Sequence, residues 1–88
     1  MLIEVIGQYE IVLEAYPDLS ASVWTPYLTI YRGRAASYRS IRVLERQPVA
    51  SEQPAQSREQ AIDLARVHAA RKIATGNFQQ SPHARGQP

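Results

Sequence analysis

Arginine and tyrosine side chains occur together in one short part of this chain, and both can bind nucleic acid. Residues 32–46 contain five arginines, which are Arg32, Arg34, Arg39, Arg42 and Arg46. Tyr31 and Tyr38 lie beside and among them. Arginine pairs with phosphate oxygens, and a tyrosine ring stacks on an unpaired base. Residues 1–31 contain no lysine or arginine, but they carry the carboxylates of Glu4, Glu10, Glu14 and Asp18. The arginines could therefore also pair with carboxylates on a neighbouring strand.

Side chains that carry out catalysis or hold metal ions are few. The chain has no cysteine, which excludes disulfides, thiolate metal ligands and thiol nucleophiles. Its two histidines, His68 and His83, do not make a structural zinc site without cysteine. Glu10 and Glu14 lie on one predicted strand, more than about 12 Å apart, which is wider than the carboxylate separation used in glycoside hydrolysis. We therefore predict that the protein is not an enzyme and binds no cofactor and no metal.

Length and charge predict one small domain without a membrane segment. The chain has 88 residues and a net charge of +2, and a core of this size stabilises a fold by only a few kcal/mol. The first residues lack the positive segment and long apolar run of a signal peptide, and no stretch approaches the ~18 apolar residues of a membrane span. We expect a cytoplasmic protein. The small core also favours a partner or a second copy of the chain, so a homodimer is expected.

Alternating apolar and polar residues predict three strands. The first covers residues 9–16, with a short extension through residues 2–6, and Gly7 marks a bulge or the end of that extension. The second covers residues 23–31 and the third residues 38–46.

Strict alternation also assigns the faces of these strands. It places Ile41 and Val43 toward the core and Leu44 away from it, because successive side chains leave a strand on opposite faces. Pro26 lacks an amide donor, so that end of the second strand should be an edge or be left unpaired on one side.

A helix over residues 57–75 is the clearest element of the sequence. Ser57 followed by Gln60 fits the capping box, in which two side chains satisfy free amides of the first turn. The apolar residues that follow recur at helical spacing and form one stripe. Gly76 is a residue that commonly ends a helix.

Together these elements predict an α+β fold, a three-stranded antiparallel β-meander with one C-terminal α-helix packed on one face (β-β-β-α). The domain covers residues 1–76 and includes a flexible loop over residues 47–56. Residues 77–88 are polar and are predicted to form a disordered C-terminal tail. One helix cannot cover both faces of a sheet, so the second face should be exposed or used for binding.

The uncovered face and the turn beside it form the predicted site. Its residues are Thr25, Tyr27, Tyr31, Arg32, Arg34, Arg42 and Arg46. Tyrosine and arginine are enriched at protein interfaces, so we predict self-association or binding of a protein partner through this face or a free strand edge. The alternative is weak binding of single-stranded nucleic acid or RNA through residues 32–46. A face that is only solvated would carry the same residues, with cross-strand pairs that stabilise the sheet.

Residues 9–76 resemble small uncharacterised bacterial β-β-β-α proteins grouped as domains of unknown function. The matching segments are Tyr9-Glu10-Ile11-Val12, Trp24-Thr25-Pro26-Tyr27 and Ser57-Arg58-Glu59-Gln60-Ala61. This resemblance implies a fold and no activity. Residues 9–18 and the alanine-rich residues 61–74 also resemble double-stranded RNA-binding domains, which implies RNA binding. The last helix of that family begins with lysines that meet phosphates, whereas this helix begins with Arg58-Glu59-Gln60.

Overall fold

A four-stranded antiparallel sheet carries one helix on one of its faces. The computed structural model describes residues 1–34 and 39–78. The elements are β1 (Leu2–Ile6), β2 (Tyr9–Asp18), β3 (Val23–Arg32), β4 (Ile41–Pro48) and α1 (Arg58–Thr75), and the strands lie side by side in chain order. The predicted α+β class, with one helix on an antiparallel sheet, is confirmed for these residues. Tyr38, His83 and most of the predicted tail lie outside them.

The predicted number of strands was wrong, because residues 2–6 form a strand of their own. β1 pairs antiparallel with β2 over its whole length, from Leu2 opposite Leu13 to Ile6 opposite Tyr9. The two residues between Ile6 and Tyr9 form the turn, and the first of them, Gly7, has a φ of 59°. Glycine adopts this left-handed backbone at little cost. Gly7 therefore reverses the chain instead of placing a bulge within one strand.

The predicted face of Leu44 on β4 was wrong, because β4 contains two irregularities in its pairing. Ile30 lies opposite Leu44, whereas the next β3 residue lies opposite Arg42, and a second register shift separates Leu28 from Ile30. Each shift adds one extra residue to β4. As a result Leu44 lies on the helix side and is fully buried. Ile41 keeps its predicted side of the sheet, opposite Arg32, but it is the first residue of β4 and is 50% exposed. Strict alternation fails at Leu44 because the first bulge moves the next side chains to the opposite face, and the second bulge restores the alternation before Gln47.

The core lies between α1 and the strands β2, β3 and β4. Its fully buried large side chains are Ile11, Leu13, Leu28, Ile30 and Leu44. α1 contributes Ile62, Ala65 and Ala69 to the same cluster. Because alanine side chains are short, the helix axis can lie close to the sheet. The helix covers β2 and β3 and thereby decides which face of the sheet stays open.

Both ends of α1 are capped by the residues that the sequence indicated. The Ser57 hydroxyl accepts a hydrogen bond from the Gln60 amide at 3.1 Å. The Gln60 side chain reaches back to the Gln56 amide at 2.7 Å, one residue before the cap. Gly76 has a φ of 69°, and its amide and that of Asn77 donate to carbonyls of the last turn, which is a Schellman ending. No helix among the described residues is long and apolar enough to cross a membrane.

The connection between β4 and α1 is attached to one end of β3. The Val49 amide donates to the Pro26 carbonyl and the Trp24 amide donates to the Ala55 carbonyl, both at 2.9 Å. Val49 and Ala55 are buried. The Pro26 carbonyl points toward β4, where it accepts the bond from Val49. The backbone nitrogen of Pro26 is on the same side but carries no hydrogen, and it lies one residue before the paired part of β3 and β4 begins at Tyr27. These two hydrogen bonds hold the start and end of the connection against the sheet.

Candidate interaction surface

The sheet face opposite α1 is not covered by any described part of the chain. We call it the open face. Side chains alternate between the faces of a strand, so the residues between the buried core positions lie on this side. They are Ile3 and Val5 on β1, Glu10, Val12, Glu14 and Tyr16 on β2, Thr25, Tyr27, Thr29 and Tyr31 on β3, and Arg42 and Arg46 on β4. Thr29, at the centre, is only 5% exposed. The larger side chains around it therefore pack against one another across the strands.

Four side chains form a connected cluster at one end of the open face. The Arg46 Nε atom lies 2.8 Å from the Glu14 Oε1 atom, although the two strands are separated by β3. The Tyr16 hydroxyl donates to the Glu14 Oε2 atom at 2.6 Å. The Arg46 guanidinium lies over the Tyr27 ring, 4.2 Å from its centroid. The rings of Tyr16 and Tyr27 meet edge to face with centroids 5.6 Å apart.

This cluster satisfies the charge of Arg46 within the protein. Partial burial of Glu14 would raise the pKa of its carboxyl, but the hydrogen bonds from Tyr16 and Arg46 outweigh that effect, and the pKa lies below its ordinary value. Glu14 is therefore ionised at neutral pH and stays paired. The arginine plane stacked on Tyr27 gains a cation–π contact as well as the ion pair. The cluster is a polar surface, whose arginine is already neutralised by a carboxylate.

The structure brings together only some of the residues predicted for the site. Tyr27 and Arg46 belong to the cluster, and Thr25 lies beside it. Tyr31 lies opposite Arg42 on the open face. Arg34 lies in the turn after β3, with its Nη1 atom 3.8 Å from a Glu10 carboxylate oxygen.

Arg32 does not share the open face with the other predicted site residues. It lies opposite Tyr9 of β2 and Ile41 of β4, which is the register of the helix side. It is exposed at the end of β3. The five arginines of residues 32–46 therefore do not all lie on one face of the sheet. Arg39 lies outside the strands and makes an interaction of its own.

An apolar area on β1 was missed by the sequence reasoning. Ile3 is 54% exposed and Val5 is 50% exposed, and both lie on the open face beside Val12 of β2. The alternation of residues 2–6 could have revealed them, because Glu4 lies between two apolar residues that share one face. Treating these residues as an extension of the next strand concealed a separate edge strand. The open face is therefore apolar at its β1 side and polar at its β4 side.

The β2–β3 turn extends the polar end of the open face. Tyr16, Thr25, Tyr27 and Arg46 line a concave surface together with the residues of the turn. The Asp18 carboxylate accepts hydrogen bonds from the Ser20 amide at 3.1 Å and from the Ser20 hydroxyl at 2.8 Å. These hydrogen bonds lower the pKa of Asp18. They order the turn, at whose tip Leu19 is 90% exposed.

A second ion pair lies on the helix side of the sheet. Arg66 of α1 contacts both carboxylate oxygens of Glu4, with its Nε atom at 2.9 Å and its Nη2 atom at 2.7 Å. The same guanidinium also contacts Asp63. The hydrogen bonds from Arg66 lower the pKa of Glu4. This pair attaches the edge strand β1 to the helix.

His68, the described histidine, lies on α1 away from these groups. It is partly buried, and burial together with the positive charges of Lys72 and Arg71 lowers its pKa. It is therefore neutral at pH 7. No group of three or more histidine, cysteine, aspartate or glutamate side chains within the described residues could hold a metal ion.

No family model, curated protein or solved structure matches this chain. The resemblances to small β-β-β-α proteins and to double-stranded RNA-binding domains therefore stay predictions. Any inference about function has to come from the surface itself.

Proposed function

We propose that the protein is a non-enzymatic interaction protein that binds a protein partner, or a second copy of itself, through the open face and its margin. The observation that carries this proposal is the exposure of Ile3 and Val5 on the same face of the sheet as the paired rings of Tyr16 and Tyr27. Protein interfaces combine an apolar centre with tyrosine and arginine and have a polar rim. The open face has the same composition. The absence of cysteine suits action in a reducing cytoplasm.

The charge pattern favours a protein partner over nucleic acid. Arg46 and Arg34 are paired with Glu14 and Glu10 of β2. A phosphate that approached either arginine would have to displace the paired carboxylate, or it would be repelled by the negative charge of that carboxylate. Binding of nucleic acid through residues 32–46 is therefore the weaker candidate. A protein surface can meet the paired charges without separating them.

The geometry also favours binding without rearrangement of the open face, because several of its side chains are already held in place. Arg46 is held by the Glu14 carboxylate and by the Tyr27 ring, so it loses little side-chain freedom on binding. Ile3 and Val5 are β-branched and lie on a strand, where their rotamers are restricted. A surface that is ordered before binding loses less entropy on association.

Two lysine substitutions test this proposal. Ile3→Lys places a charge at the apolar side of the open face. Val67→Lys places the same charge on the outer side of α1, where Val67 is 53% exposed compared with 54% for Ile3. We expect Ile3→Lys to weaken self-association measured by sedimentation over a concentration series, and we expect Val67→Lys to leave it unchanged. Amide chemical shifts that change with concentration should lie on β1 and β2.

The opposite results would contradict the proposal. If Val67→Lys weakened association and Ile3→Lys did not, the outer side of the helix would be the interface. The nucleic-acid alternative has its own test, a titration with single-stranded oligonucleotide at low salt. Binding that weakens steeply with added salt and is lost in Arg42→Gln would favour that alternative.

A further inference from the structure

β1 presents a free backbone edge of regular geometry. The Gln8 carbonyl accepts a hydrogen bond at 2.8 Å from an amide that follows β3, so Gln8 faces β3. The backbone amide and carbonyl of successive residues point to opposite sides of a strand. Those of Tyr9 therefore point toward β1, and those of its partner Ile6 point toward β2. By the same alternation the amides and carbonyls of Ile3 and Val5 point away from β2. No described strand lies on that side of β1.

The other edge of the sheet is different. β4 contains two register shifts, and both disturb its outer row of backbone groups. The Val49 amide faces β3, so the preceding residue, Pro48, faces outward, where it has no amide to donate. Bulges and edge prolines prevent a further strand from pairing. β1 has neither, and its one charged side chain, Glu4, is held by Arg66.

We propose that two copies of this chain pair through their β1 strands, antiparallel, with Ile3 of each copy opposite Val5 of the other. This inference rests on the proposed function and names its partner as a second copy. In this register the outward amides and carbonyls of Ile3 and Val5 bond reciprocally across a two-fold axis that passes between the two Glu4 residues. The two sheets become continuous, and the two open faces become one surface.

The side chains of β1 suit this register on both faces. On the open face the half-exposed Ile3 lies next to the half-exposed Val5 of the second copy, so each covers apolar surface of the other. On the helix side the two Glu4 carboxylates come near the axis. Each one is bound by the Arg66 guanidinium of its own chain, which offsets the repulsion between them. α1 packs on β2 and β3 and leaves the margin at β1 accessible.

Pairing of β1 with β1 also gives a closed assembly. The interface is isologous, so a dimer uses up both β1 edges, and the β4 edges do not accept a third chain. The contact consists of one short strand from each copy, so it belongs to the small interfaces of less than about 1,200 Å² that form weak complexes. The dimer should therefore be measured at high micromolar to millimolar concentration.

Hydrogen exchange of two amides tests the pairing without any substitution. In the monomer the amides of Ile3 and Val5 point to solvent and exchange rapidly, whereas in the dimer they are hydrogen-bonded. We expect their exchange to slow roughly tenfold once roughly nine-tenths of the chains are paired. The amide of Glu4 points toward β2 and should be protected at every concentration. Exchange at Ile3 and Val5 that stays fast at a concentration where sedimentation shows a dimer would overturn the inference.

A proline substitution tests the same hydrogen bonds. Val5→Pro removes an amide that faces the free edge, so it leaves the bonds between β1 and β2 in place. Val5→Ala shortens the side chain but keeps the amide. We expect Val5→Pro to be monomeric with an unchanged circular dichroism spectrum, and Val5→Ala to weaken the dimer by less than tenfold.

The variants also separate this inference from the proposed function. If Val5→Pro stayed dimeric while Ile3→Lys became monomeric, edge pairing would be wrong and association through the open face would stand. If Val5→Pro became monomeric while Ile3→Lys stayed dimeric, edge pairing would stand and the open-face side chains would not take part. A wild-type chain that is monomeric at millimolar concentration would overturn edge pairing.

Discussion

Truncation of Leu44 tests the two bulges of β4, because strict alternation and the structure place this side chain on opposite faces. Leu44 is fully buried in the core, although the sequence pattern predicts that it faces outward. Ile41 lies on the helix side, as the same pattern predicts, but it is the first residue of β4 and is 50% exposed. Both residues lie on one strand and both become alanine in the matched variants. The difference between their effects on stability therefore reports which side chain the core contains.

The expected magnitudes differ several-fold. Truncation of a fully buried leucine removes its transfer free energy and leaves a cavity, so Leu44→Ala should lower the free energy of unfolding by about 3 kcal/mol. Ile41 loses only the half of its surface that is buried and leaves no closed cavity, so Ile41→Ala should cost less than about 1 kcal/mol. For a domain of this size, about 3 kcal/mol corresponds to a fall in Tm of roughly 12–24 °C.

Urea unfolding at low protein concentration measures both variants without a contribution from self-association. The chain has one tryptophan, Trp24 on β3, whose fluorescence and the far-ultraviolet circular dichroism should give coincident transitions. We expect the unfolding midpoint of Leu44→Ala to lie well below that of Ile41→Ala. If Ile41→Ala lost more stability than Leu44→Ala, β4 would follow strict alternation and the bulges would be wrong.

Three further predictions follow from the caps and ion pairs. A double-mutant cycle with Glu14→Gln and Arg46→Met should give a small stabilising coupling in thermal unfolding, because Arg46 is half exposed and solvent screens the pair; no coupling would mean that the pair is not formed in solution. The pKa of Glu4 is lowered below its usual 4.5, so its contribution to stability is present above that pH and is lost as pH falls through the folded-state pKa. The free energy of unfolding of Arg66→Gln should therefore fall less than that of the wild type between neutral and acidic pH. An identical fall would contradict the role of the pair. Gly76→Ala should cost about 1–2 kcal/mol in chemical denaturation, because the φ of 69° disfavours a Cβ atom; Gly76→Asn should cost less, and equal losses would argue against backbone strain as the cause.

The helix could be predicted closely because its signals are local. The cap at Ser57, the amide it binds and the glycine at residue 76 all lie within a few residues of the helix ends. The hydrogen bonds of a cap depend on nearby backbone alone. For the same reason the prediction of residues 57–75 differs from Arg58–Thr75 only at the cap itself.

The strands could be predicted only in part, because pairing depends on residues far apart in the chain. The alternation in residues 9–16 and 23–31 identified the two central strands, whose buried side chains repeat at every second position. The alternation in residues 2–6 was present but was assigned to the wrong element. In β4 the bulges depend on how β4 fits against β3, and no pattern within residues 38–46 indicates an inserted residue.

The candidate site could likewise be predicted only in part. Composition identified tyrosine and arginine on one face, and Tyr27 and Arg46 do meet there. Arg46 on β4 reaches across β3 to pair with Glu14 on β2. Counting charges along the sequence could not show that this arginine is neutralised, because the pair depends on the order of the strands. The exposure of Ile3 and Val5 could be predicted only if residues 2–6 were assigned to a separate edge strand.

The sequence by itself determined the class of fold, the capped helix, the lack of cysteine chemistry and the existence of an uncovered sheet face. These properties follow from composition and from contacts between residues close in the chain. Only the tertiary structure decided that β1 is a free edge, that Leu44 is in the core and that Arg46 is paired across β3. The physical reason is that strand order, register and ion pairs are set by packing between distant segments, in which each residue has many alternative partners until the sheet forms.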